Sequence, residues 1–152
     1  MSEHLNTLAD ARKWLKGKLL NGGGRCPCCT LFAKVYRRQI NAGMAMSLIT
    51  MYRTFGLDFG YIPDLPAKSR EEGKLVHWGL VVEAHEPRPD GGRAGWWRIT
   101  EKGEAFIRRG LKVPKYVLIY DGRCLGYDDP DELIDIEDAL TEKFNLDDLM
   151  GR

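Results

Sequence analysis

No run of apolar residues approaches the roughly 18 needed to cross a bilayer, so this chain of 152 residues is expected to be soluble. Glu3, Asp10, Arg12 and Lys13 precede any apolar run, the wrong composition for a secretory signal, and a cytoplasmic location is expected. Histidine is scarce, with three in the chain, and His4, His77 and His85 are scattered, so no general base stands in a pattern with a nucleophile. Gly22-Gly23-Gly24 runs into Arg25-Cys26 where a phosphate-cradling loop needs Gly-Lys-Ser/Thr, which excludes that nucleotide motif. Repeats and low-complexity segments are absent too. No catalytic residue is assigned, and a non-enzymatic role is expected.

Cysteine is sparse and unevenly placed. Of the four, Cys26, Cys28 and Cys29 are crowded and Cys124 is distant, which is not the spread framework of a secreted disulfide scaffold. The stretch Cys26-Pro27-Cys28-Cys29 contains a Cys-Pro-x-Cys spacing open to three readings. In a zinc knuckle, Cys26 and Cys29 would share a metal and need two more ligands, for which Cys28, Cys124 and the histidines are the candidates. In a thiol pair, Arg25 and Lys34 would favour a thiolate, although the preceding glycines replace the usual strand. In the third, these are small, partly buried residues at a turn before a helix. The third is adopted: no cofactor is expected, Cys26 and Cys29 are the ligands to watch if zinc binds, and folding should survive without metal.

What the chain does have is charge asymmetry. The formal net charge is +1, yet residues 1–120 hold 20 Lys+Arg against 11 Asp+Glu, a balance of +9, and residues 121–152 hold 3 against 11, a balance of −8. A basic body suits a polyanion, and an acidic tail can shield or orient that surface.

Apolar periodicity and punctuation give the elements. Leu5, Leu8, Leu15 and Leu19 mark a helix started at Thr7 and Asp10 and ended at Asn21-Gly22. Leu31, Phe32, Val35, Tyr36 and Ile40 suggest a second helix with Lys34, Arg37 and Arg38 outside. Met44, Leu48, Met51 and Phe55 suggest a third, stopped at Gly56. Tyr61-Ile62 is a short strand, and a helix from Ala67 to about Trp78 carries Lys68, Arg70 and Lys74 outward and Leu75 and Trp78 inward. Leu80–Ala84 and Trp96–Ile99 form an antiparallel hairpin around the Pro/Gly-rich loop 85–95. Alternation puts Trp97 and Ile99 on one face and Trp96 and Arg98 on the other. Thr100 caps a helix to Arg109, and Lys115–Tyr120 with Arg123–Tyr127 make a second hairpin around Asp121-Gly122. In the tail, Pro130 opens a helix through Leu133, Ile134 and Ala139, and a final turn spans Asn145–Met150. Two regions follow: 1–120 as a helical body and 121–152 as an acidic extension packed on or flanking it.

The segment Trp78-Gly79-Leu80-Val81-Val82, a polar loop, then Trp96-Trp97-Arg98-Ile99-Thr100-Glu101-Lys102-Gly103 resembles the recognition-helix end, wing and following helix of the multiple-antibiotic-resistance repressor family. Taken with CPCC, KVYRRQINAGMA and HWGLVV, the chain also resembles a group of uncharacterised phage and prophage proteins. The resemblance implies an α+β fold with a helical N-terminal half, a winged-helix-like core, a small second hairpin and the acidic extension. It implies a small regulatory DNA-binding protein. Lys68, Ser69, Arg70 and Lys74 would face the major groove, Arg88 and Arg93 would reach the backbone or minor groove, and Trp96 and Arg98 would support the wing. A winged helix places two helices joined by a short turn ahead of the wing, whereas Pro66–Trp78 has room for one. A protein-protein interaction module, directed at a host or phage protein through a degenerate winged helix or the acidic tail, is therefore the rival reading.

Overall fold

The computed structural model describes residues 7–84 and 95–151. The fold is α+β with small antiparallel sheets. The chain divides into two compact units, one formed by Met1–Arg38 with Val117–Asp128 and the other by Gln39–Tyr116 with Asp129–Arg152.

In the first unit, α1 (Leu8–Leu19) begins at Thr7, whose hydroxyl accepts from the Asp10 N–H. The chain turns at Gly22 and Gly23, both at positive φ. Gly23 is obligatory there, because an added Cβ would lie 2.6 Å from the Ala33 carbonyl oxygen. Strands β1 (Gly24–Arg25) and β2 (Phe32–Ala33) pair antiparallel, Arg25 opposite Phe32. Next comes β3 (Tyr36–Gln39), which lies beside β8 (Tyr116–Tyr120) and β9 (Arg123–Tyr127) in the order β3-β8-β9. The β8–β9 hairpin turns at Asp121-Gly122, as its Asp-Gly signal implies. The helix expected over Leu31–Ile40 is not formed. Aromatic and β-branched residues satisfy a strand as well as a helix, and here Val35 and Ile40 are buried while Leu31, Phe32 and Tyr36 stay exposed.

The second unit is organised on α2 (Ala42–Phe55), capped by the Asn41 side chain at one end and by Gly56 at positive φ at the other. Met44, Ala45, Leu48, Ile49 and Met51 form its buried stripe. Strands β4 (Gly60–Tyr61), β5 (Val81–Glu83) and β6 (Trp96–Ile99) pair antiparallel in the order β4-β6-β5. Between β4 and β5 lie a 3-10 turn, Ile62–Asp64, and a 3-10 helix, Glu72–Trp78. Trp78 is fully buried and its indole N–H donates to the Pro114 carbonyl at 2.9 Å. After β6, α3 (Glu101–Ile107) starts at Thr100, whose hydroxyl accepts from Gly103 N–H and donates to the Gly79 carbonyl.

From Asp129 onward the acidic segment is part of this core. Strand β10 (Leu133–Ile134) pairs with β7 (Val113–Pro114), and α4 (Ile136–Leu140) and α5 (Leu146–Leu149) pack on α2. Ile134, Ile136, Ala139, Leu140 and Leu146 are buried. The single helix expected from Pro130 through Ala139 is thus divided. Leu133 and Ile134 join a ladder, and Asp135 and Asp138 close a reciprocal capping box that starts the helix after them. No helix among the described residues is long and apolar enough to cross a membrane.

Candidate nucleic-acid interface

The basic residues singled out ahead of β5 occupy a segment that is not helical where expected. Lys68, Ser69 and Arg70 precede the 3-10 helix instead of forming its first turn, and Lys74 alone lies within it. The cause is local competition for backbone donors. Ser69 N–H donates to the Ser47 hydroxyl at 2.6 Å, and Arg70 N–H to Glu72 Oε1 at 3.0 Å. Arg70 sits at φ 71°, a left-handed conformation that interrupts a helix. The Ser47 hydroxyl also donates to Glu72 Oε1, at 3.2 Å, so that two buried polar side chains pin this segment to α2. Gly43 permits the approach, since a Cβ there would be 3.2 Å from Ser69 Cβ.

Lys68, Arg70 and Lys74 are exposed. Lys68 donates to the Pro63 carbonyl at 2.9 Å, and Lys74 pairs with Glu71 at 3.1 Å. Lys68 and Arg70 line a notch of about 310 Å³ together with Ile62, Pro63, Glu72 and Trp97. Trp97 is an addition to the sequence-based set. It lies against the backbone of Gly73, where an added Cβ would be 3.1 Å from the indole.

Trp96 and Arg98 occupy the other face of β6, as strand alternation requires. Trp96 stacks on Tyr61 with ring centroids 5.4 Å apart, and the Arg98 guanidinium lies 5.4 Å from the Phe59 ring centroid. Phe59, Tyr61 and Arg98 are exposed and Trp96 is half-exposed. Phe59 and Tyr61 are further additions. Two aromatics flanking Gly60 are a signal legible in the sequence, but their meeting with Trp96 and Arg98 depends on the β4–β6 register. The candidate residues therefore divide, with Lys68 and Arg70 in the notch beside Trp97, Lys74 on the 3-10 helix paired with Glu71, and Trp96 with Arg98 on the other face of β6. Arg88 and Arg93 lie outside the described residues.

His77, on the same 3-10 helix, is held below the ordinary imidazole value of 6.5, by partial burial first and by the Lys74 charge second.

The cysteine turn is the other chemically notable place. It closes the β1–β2 hairpin through Cys26 N–H to Leu31 O and Thr30 N–H to Cys26 O, each 2.8 Å, with Thr30 at φ 63°. The element that follows is a strand, which corrects the expected turn before a helix. Backbone N–H groups of Cys29 and then Cys28 donate to the Cys26 sulfur and lower its pKa. All four cysteines are free, and Cys28, Cys29 and Cys124 are exposed. Among the described residues no three His, Cys, Asp or Glu side chains converge as a metal set.

No family model, curated protein or solved structure matches this chain.

Proposed function

We propose that the protein binds duplex DNA through a winged-helix-like unit and acts as a regulator of a phage type. The observation that carries the reading is the chain order in the second unit: α2, strand β4, the 3-10 turn, the 3-10 helix, β5, a loop and β6, with the sheet ordered β4-β6-β5. In this reading the 3-10 helix takes the place of a recognition helix and β5 and β6 that of the strands of a wing, with Arg88 and Arg93 in the sequence between them, outside the described residues. Lys68, Arg70 and Lys74 supply attraction to phosphate, and Ser69, whose hydroxyl accepts from Glu71 N–H at 3.1 Å, shapes the segment that carries them. Trp96 and Arg98, braced by Tyr61 and Phe59, stiffen the base of the wing.

Fluorescence anisotropy with random-sequence duplexes at low salt tests the proposal. Affinity should fall by about one power of salt concentration per phosphate contact. The triple variant Lys68→Ala, Arg70→Ala, Lys74→Ala should bind roughly tenfold or more weakly, with a shallower salt slope. No binding at micromolar protein ends the DNA reading.

The rival reading, a protein-protein interaction module, is favoured by one observation. The residues Ile62–Asp64 form a short 3-10 turn where a helix-turn-helix has its first helix, and the second helix is of the 3-10 type. Binding to a host or phage protein with no measurable duplex affinity would select it.

A further inference from the structure

The cysteine hairpin carries three sulfurs at its tip, Cys26 half-buried and Cys28 and Cys29 exposed, of which Cys26 and Cys29 have the Cys-x-x-Cys spacing of a zinc ligand pair. A tetrahedral zinc site takes four. Cys26 and Cys29 sit at the ends of a Cys-x-x-Cys turn held by the Cys26–Leu31 and Thr30–Cys26 backbone hydrogen bonds, with Arg25 donating to Thr30 O at 3.1 Å. The turn is therefore built by its own backbone and needs no metal to hold its shape. Beside the cysteines, Leu31 is 71% and Phe32 53% exposed. Two large apolar side chains in water next to an incomplete ligand pair mark a surface that lacks its complement.

We propose that two copies of this chain join hairpin tip to hairpin tip around one zinc ion, each supplying Cys26 and Cys29. A two-fold arrangement is self-complementary, so the same pair serves from both sides. It completes a tetrahedron of four thiolates without a third ligand from either chain, in keeping with the lack of any three-ligand set among the described residues of one chain. Zinc held by four thiolates is anionic, and Arg25, which precedes Cys26 and donates to Thr30 O within the turn, offsets part of that charge in each copy. Leu31 and Phe32 gain a surface on which to be buried. The proposal is independent of the DNA reading, since every residue it uses lies in the first unit.

Zinc ion alone, added to the full-length chain kept reduced by a phosphine, is the probe. Elemental analysis should give about 0.5 zinc per chain, as four sulfurs shared by two chains require. Light scattering should show the mass double with zinc and return to the monomer after chelation. Cobalt substituted for zinc should give the intense visible bands of tetrahedral thiolate coordination, a readout on the unmutated protein. Cys26→Ser and Cys29→Ser should each abolish metal uptake and the zinc-dependent dimer with unchanged far-ultraviolet circular dichroism, whereas Cys28→Ser and Cys124→Ser retain both. One zinc per monomeric chain, no zinc uptake, a dimer indifferent to chelation, or loss of metal in Cys28→Ser with retention in Cys29→Ser would each overturn it.

Discussion

Gly103 shows how one residue joins two elements. It lies in the first turn of α3, its N–H bound by the Thr100 hydroxyl at 3.0 Å, and a Cβ there would collide with the Leu80 carbonyl oxygen and the Ile99 side chain. The carbonyl belongs to backbone that also accepts from Thr100 N–H, so it cannot swing away without breaking that bond. Gly103→Ala should therefore destabilise the protein by about 1–3 kcal/mol, the usual cost of overpacking, although alanine is the better helix former. Chemical denaturation measures this, and a stabilised variant would disprove the steric account. His77 yields a prediction in pH. Its folded-state pKa is depressed from 6.5, by partial burial and then by Lys74, so below 6.5 the unfolded chain takes up a proton before the folded chain does. Stability should fall as pH drops through the window between 6.5 and the lower folded value, and level off beneath it. His77→Gln should flatten that part of a melting temperature against pH curve, and equal slopes in both proteins would refute the assignment.

At the scale of elements, the acidic tail combines a charged exterior with a buried apolar side. Leu140 of α4 is 1% exposed and Ile136 is fully buried, and Lys115 N–H donates to the Glu132 carbonyl at 2.7 Å beside the β7–β10 pair. Leu140→Ala should cost about 2–5 kcal/mol. Deleting residues 129–152 should lower the melting temperature sharply, because it strips α2 of α4 and α5. Truncation therefore confounds any test of the tail's charge. The cleaner experiment changes exposed carboxylates that play no part in the capping box: Asp131→Asn, Glu142→Gln and Asp148→Asn together. This variant should fold as before and bind random duplex DNA more tightly at low salt, with the gain vanishing at high salt as screening removes it. An unchanged affinity would show that the tail does not oppose a polyanion.

Across the whole molecule, charge is sorted along the chain, while ion pairs return part of the tail to the body. Arg109 pairs with Glu137 at 3.0 Å in the second unit, and Arg37 with Asp128 at 2.9 Å in the first. Exposed pairs of this kind contribute roughly 0–1 kcal/mol each, so their value lies in reducing net field more than in holding the fold. The sequence balances of +9 and −8 therefore overstate the field available to a ligand. Among the basic residues of the proposed DNA-binding set, Lys68, Arg70, Lys74 and Arg98 are exposed. Folding rests instead on α2, which gathers the sheet, the 3-10 helix and the tail helices around Leu48, Ile49 and Met51.

Features that a residue settles with its near neighbours are legible along the chain. Thr7, Asn41, Thr100 and Asn145 cap helices because each side chain meets an N–H three residues on. Asp121-Gly122 turns a hairpin, and the alternation of Trp96–Ile99 sorts that strand into two faces. Long-range packing made the choice wherever two conformations satisfied the same local pattern. Phe32–Ala33 and Tyr36–Gln39 became strands because β1 and β8 offered backbone partners. Lys68–Arg70 stayed out of a helix because Ser47, remote in sequence, and Glu72 captured their N–H groups. The aromatic group around Trp96 likewise exists only through the register of β4 on β6. A cap is complete within one turn of chain, whereas a strand or a displaced helix start depends on donors and acceptors that only folding brings near.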